Sequence, residues 1–143
     1  SRCLTFKINF TFNESINACN QILGQNIFNL INHDLITYYN TPGEIISLIN
    51  FSNNNNIDLK NYTLINFLNL LIDNGYYKKN KIGKNLLINF IELFFLKEYK
   101  SCKTNNSLVN LYHYFIKKIN NTEKFNLDEE SLFLEFKEKL LNG

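Results

Sequence analysis

The spacing of apolar residues changes once along this chain, near residue 11, and that change limits the folds open to it. Leu4, Phe6, Ile8 and Phe10 alternate with Thr5, Lys7 and Asn9, the period of a strand with one buried side. Beyond that stretch the apolar residues recur every three or four positions to the C-terminus, which predicts helix after helix. One strand cannot make a sheet by itself, so the expected class is mainly α with a single N-terminal strand at 3–10.

The helical pattern divides into two groups. In the first, Asn13 is placed to cap a helix bearing Ile16, Cys19, Ile22 and Leu23, and Gly24 to end it. Ile27, Leu30, Ile31, Leu35 and Tyr38 predict a second helix over 26–39. Thr41 as N-cap with Pro42, the only proline, at the first helical position opens a third, and the three make a small bundle over 11–51. The polar tract at 52–57 lacks apolar periodicity and reads as a linker.

The second group, 58–143, is expected to be all helical. Leu64, Phe67, Leu68, Leu71 and Ile72 mark a helix ending near Gly75, followed by a basic loop over 77–84 with Lys78, Lys79, Lys81 and Lys84. The run NLLINFIELFFL at 85–96 predicts a long buried helix. It is too short for a membrane span and has lysines on both sides. Leu108, Leu111, Tyr112, Phe115, Ile116 and Ile119 mark another helix. Asp128, beside Glu129, Glu130 and Ser131, starts the last, its stripe running through Leu132, Phe133, Phe136, Leu140 and Leu141.

With 45% hydrophobic residues the chain can bury a core, and a net charge of +2 from 15 basic and 13 acidic residues gives no strong electrostatic footprint for nucleic acid. Cys3, Cys19 and Cys102 have no metal-ligand spacing and are odd in number, which fits reduced thiols in a cytoplasmic protein. His33 and His113 fall on different predicted elements and read as ordinary surface or core histidines. No phosphate-cradling glycine loop, GxSxG or HExxH is present, so a self-contained active site is not expected. The basic loop reads as a solvated loop rather than a phosphate-contacting patch. Phe90, Phe94, Phe95, Tyr112 and Phe115 read as core, and exposed aromatics in excess of the core would mark a subunit interface. A start on Ser1 with methionine absent throughout suggests a piece of a longer protein.

The order of motifs adds a resemblance. SRC at 1–3 precedes the strand, helices follow, and YYNTPGEIISLI at 38–49 carries a Pro-Gly helix start. This order resembles the clamp-loader branch of the AAA+ ATPases, and FNLDEESLFLEF at 125–136 is similar to a stretch near the C-terminus of its bacterial delta-prime subunits. The resemblance spans nearly the whole chain, although only SRC and the Pro-Gly start are motif-like. It implies that 1–10 is the last strand of a truncated AAA+ core, 11–51 the helical lid and 58–143 a helical collar that oligomerises the subunits.

It further implies that Arg2 is an arginine finger. Its guanidinium would reach ATP-Mg on a neighbouring subunit, with no cofactor bound by this chain itself and no metal site. The implied partners are gamma/tau and delta subunits and, through the complex, the sliding clamp and primer-template DNA within a DNA polymerase holoenzyme; no membrane is involved. Glu44 stands in the segment where ATP-binding relatives carry a sensor arginine, and a carboxylate there would repel a γ-phosphate. That departure favours a non-catalytic, delta-prime-like role over an ATP-hydrolysing gamma/tau-type one. A third reading, of another class, is a helical interaction module unrelated to replication, with SRC a chance match.

Overall fold

The computed structural model describes residues 10–37, 40–79, 81–101, 106–125 and 128–141, without the side chain of Glu123. These residues are mainly helical and divide after Tyr62 into two compact units. The expected strand at 3–10 lies outside the described residues except for Phe10, which is exposed.

The first unit is built on α1 (Phe12–Leu23) and α2 (Pro42–Asn54). Both start with the same device. Thr11, not Asn13, caps α1: its hydroxyl accepts from the Glu14 N–H at 3.3 Å, and Glu14 Oε2 accepts from the Thr11 N–H at 2.8 Å. Thr41 and Glu44 repeat this reciprocal pair on α2 at 3.3 and 2.9 Å, with Pro42 in the first turn as expected. Each pair satisfies two backbone donors that the first turn would otherwise leave open. Gly24, at φ 67°, ends α1 in the left-handed conformation that glycine adopts without strain.

Of the helix expected over 26–39, residues 26–37 are described and form instead two single 3-10 turns, Ile27–Asn29 and His33–Leu35, while Tyr38 lies outside the described residues. Asn26 Oδ1 accepts from the Phe28 N–H at 3.0 Å and Asn32 Oδ1 from the Asp34 N–H at 3.0 Å, so asparagine side chains take donors that a longer helix would have used. Ile27, Ile31 and Leu35 are nonetheless buried, because the 3-4 spacing of apolar residues survives the break in backbone geometry.

The tract at 52–57 is not an extended linker. Its first residues complete α2, where Ser52 is buried and its hydroxyl donates to the Ile49 carbonyl at 2.9 Å. The chain then stays with the first unit: Leu59 is buried, and its carbonyl accepts from the Asn32 N–H at 3.2 Å.

The second unit comprises α3 (Leu64–Asp73), α4 (Tyr76–Lys79), α5 (Lys81–Ser101), α6 (Asn106–Phe125) and α7 (Glu129–Phe136), the last running into a π turn at Lys137–Leu141. Thr63 caps α3 by accepting from the Asn66 N–H at 3.3 Å, and Gly75, at φ 59°, turns the chain after it. The described residues of the basic segment expected as a loop are helical, forming α4 and the start of α5. Lysine is compatible with helix, and Tyr77, buried edge-on against Phe133 with ring centroids 4.7 Å apart, anchors the segment in the core. Phe67 of α3 meets Phe90 of α5 edge-on at 5.0 Å. At the far end of the core, Phe136 stands within 5.4 to 6.0 Å of Phe94, Phe95 and Phe115, centroid to centroid.

Removing the Thr41 hydroxyl by Thr41→Ala is expected to cost about 1 kcal/mol in a urea titration, and Thr41→Ser to restore most of it. Equal stability of the alanine variant and the parent chain would contradict the capping role.

Candidate functional site

Arg2, the residue on which the clamp-loader resemblance rests, lies outside the described residues, as do Ser1, Cys3 and Cys102. Glu44 is described, and its carboxylate turns back onto the first turn of its own helix, bonded to the Thr41 N–H. It therefore places a negative charge at the N-terminus of α2 and occupies the Thr41 N–H, a task the sequence reading did not assign to it.

Three of the four lysines of the basic segment are engaged with acids or a ring. Lys78 pairs with Glu130 at 2.6 Å and Lys84 with Glu129, both acids in the first turn of α7. Lys79 lies over the Tyr76 ring, 4.4 Å from its centroid. The acids expected to favour the start of α7 thus also tie it to α4 and α5, while Asp128 caps it through the backbone of Glu130 and Ser131. The Ser131 hydroxyl and those N–H groups hold the Asp128 carboxyl below its ordinary value.

Among the described residues no group of three His, Cys, Asp or Glu side chains could hold a metal. His33 is exposed and stacks flat on Phe28, with centroids 3.9 Å apart. His113 is exposed beside Tyr112. Cys19 is fully buried, its thiol directed to the Pro42 carbonyl at 3.7 Å, and burial raises its pKa, so the reactive thiolate is disfavoured. No described helix is long and apolar enough to cross a membrane.

Two features stand out on the second unit. The first is a charge cluster on α6 and α7. Glu135 accepts from Lys118 and Lys139, each at 2.6 Å, and from the Tyr114 hydroxyl at 2.8 Å. Both ammonium groups also lie over the Tyr114 ring, at 4.6 and 5.4 Å from its centroid. Hydrogen bonds from Lys118 and then Lys139 lower the Glu135 carboxyl from 4.5 to about 2.

The second is a cavity of about 310 Å3 along the α5–α6 pair, lined by Glu92, Phe95, Leu96, Tyr99, Leu108, Val109 and Tyr112. Of these, Phe95 is buried, Leu96, Leu108, Val109 and Tyr112 are half-buried, and Glu92 and Tyr99 are exposed. Of the five aromatics read as core, the four phenylalanines are buried and Tyr112 opens onto this cavity. The sequence reading passed over Glu92 and Tyr99, although Glu92, Phe95, Leu96 and Tyr99 follow the i, i+3, i+4, i+7 spacing of one helix face.

The chain has no match among protein-family models, curated proteins or solved structures.

The Glu135 cluster has a signed pH dependence. A carboxyl whose folded-state pKa lies below its unfolded value stabilises the fold fully above the unfolded value, and that contribution is lost as pH falls toward about 2. Glu135→Gln is expected to cost about 1 kcal/mol at pH 7, the small figure reflecting solvent screening of half-exposed lysines. Urea midpoints of the two proteins should converge between pH 4.5 and about 2. A difference that stays constant across that range would assign the effect to packing.

Proposed function

We propose that this chain is the lid and collar portion of a non-catalytic clamp-loader subunit of the delta-prime type. In this reading it assists ATP-driven loading of the sliding clamp onto primed DNA by joining a ring with gamma/tau and delta subunits in the cytoplasm. Arg2 serves as an arginine finger toward ATP-Mg held by a neighbour. A guanidinium suits that task because it stays protonated and donates two hydrogen bonds to the charge developing on a transferring phosphoryl group. The observation that carries the reading is an order: SRC at 1–3, then a helical unit whose second α-helix opens on Thr41-Pro42-Gly43, then a separate all-helical unit.

Glu44 favours this role over that of an ATP-hydrolysing gamma/tau-type subunit. Its carboxylate sits at the α2 N-terminus and engages the Thr41 N–H, so that end of the helix presents negative charge and an occupied donor where a phosphate would need open donors and positive charge. An interaction module unrelated to replication differs in its assembly: it would behave as an autonomous bundle with no affinity for clamp-loader subunits.

Arg2→Ala in a reconstituted complex is expected to leave assembly intact and to lower DNA-stimulated ATP hydrolysis by about tenfold or more. Unchanged hydrolysis in an intact complex would refute the finger. Failure of the parent chain to co-elute with gamma/tau and delta subunits in size-exclusion chromatography would refute the clamp-loader reading as a whole.

A further inference from the structure

Of the chain's asparagines only Asn74 and Asn142 precede a glycine, and Asn74 is the one within the described residues. It is exposed at the end of α3, and Gly75 follows at φ 59°. An Asn-Gly pair is a reactive unit, because the amide nitrogen of the second residue can attack the side-chain carbonyl of the first and close a five-membered imide. A side chain on the second residue crowds that approach, and glycine has none.

The closed helix end holds this unit apart. Asn74 has ψ 1°, and ring closure needs ψ turned far from that value so that the Gly75 nitrogen faces the side chain. Two hydrogen bonds oppose the change. The Gly75 N–H donates to the Ile72 carbonyl at 3.0 Å, which fixes the main chain, and Asn74 Nδ2 donates to the Leu70 carbonyl at 3.1 Å, which fixes the side chain. Both belong to the last turn of α3, and a helix end opens at a smaller free-energy cost than the whole fold.

We propose that Asn74 is a site of spontaneous deamidation, gated by opening of the last turn of α3. In the open turn the Gly75 nitrogen bonds to Cγ of Asn74 and gives up its proton, the Cγ–Nδ2 bond breaks, and the side-chain nitrogen leaves with that proton as ammonia. Water then opens the imide. Addition at Cγ leaves aspartate; addition at the main-chain carbonyl carbon leaves isoaspartate, with the chain continued through the side chain. No oxidation or reduction occurs, and water is the sole co-reactant. Either product loses the amide that bonds to Leu70 and sets a negative charge at the C-terminal end of a helix, where the macrodipole disfavours it. The new carboxylate adjoins Asp73, which pairs with Lys137 of the π turn, so conversion loosens the end of α3 where that turn is tied to it. The proposal does not rest on the clamp-loader reading.

The test incubates the 143-residue chain at mildly alkaline pH, folded and in guanidinium chloride, and follows the peptide containing residue 74 by proteolytic digestion and mass spectrometry. Both samples are expected to yield aspartate and isoaspartate at 74, the folded chain about tenfold more slowly. Gly75→Ala, assayed in guanidinium so that strain in the fold plays no part, is expected to slow conversion about tenfold. Asn74→Asp is expected to unfold at a lower denaturant midpoint than the parent chain. No conversion of the folded chain by the time the unfolded chain has converted fully would overturn the site, and equal rates in the two states would overturn the gating. Aspartate without isoaspartate, or an unchanged rate in Gly75→Ala, would overturn the imide route. A midpoint of Asn74→Asp at or above the parent's would overturn the loosening of α3.

Discussion

Phe136 has no exposed surface, and its ring is flanked by Phe94 and Phe95 of α5 and Phe115 of α6, each of them buried. A contact of this kind is not local, because residue 136 closes a core whose other walls lie 21 to 42 positions earlier in the chain. Edge-to-face geometry adds direction to the apolar burial: the rings meet Phe136 at 81°, 63° and 88°. Leu132, Phe133 and Phe136 are the buried residues of α7, and Phe136 supplies its ring contacts with α5 and α6, in keeping with helix packing that rests mainly on buried apolar faces.

The ion pairs around the cluster play a smaller part. Lys78–Glu130, Lys84–Glu129, Lys137–Asp73 and the Glu135 group join α7 and its π turn to α3, α4, α5 and α6. Their side chains are exposed to between about one-fifth and one-half, so each contributes about 1 kcal/mol, against about 3–5 kcal/mol for removing a buried phenylalanine. Their value is in register: acids at the start of α7 meet lysines of α4 and α5, while Phe136, its last residue, packs into the core. The same pairing explains why a lysine-rich segment stays helical and does not present an anion-binding loop.

The helix starts and stripes of the second unit were readable because each depends on side chains within four positions. Asp128 before the last helix, Gly75 after α3 and the apolar run of α5 are of this kind. Two errors came from residues with competing options. Asn26 and Asn32 broke a helical stripe into two 3-10 turns by bonding their own backbone, and apolar periodicity carries no trace of that choice. The asparagine tract at the end of α2 reads as a linker, but its first residues are helical, and Leu59 and its carbonyl hold the following turn in the first unit through Asn32, a partner 27 positions away. Thr-x-x-Glu was a missed local signal, present twice as Thr11–Glu14 and Thr41–Glu44. The cavity beside Tyr99 was legible as a helix face but not as a hollow, because its depth depends on where α6 lies.

The central structural claim is that Phe136 holds α5, α6 and α7 in one cooperative core. Amide hydrogen exchange on the whole chain, comparing the parent with Phe136→Leu, tests it most directly. A shared core predicts that the slowest amides of α5, near Phe94 and Phe95, and of α6, near Phe115, lose protection together and by the same factor, about tenfold. Loss of protection confined to α7, with α5 and α6 unchanged, would contradict it.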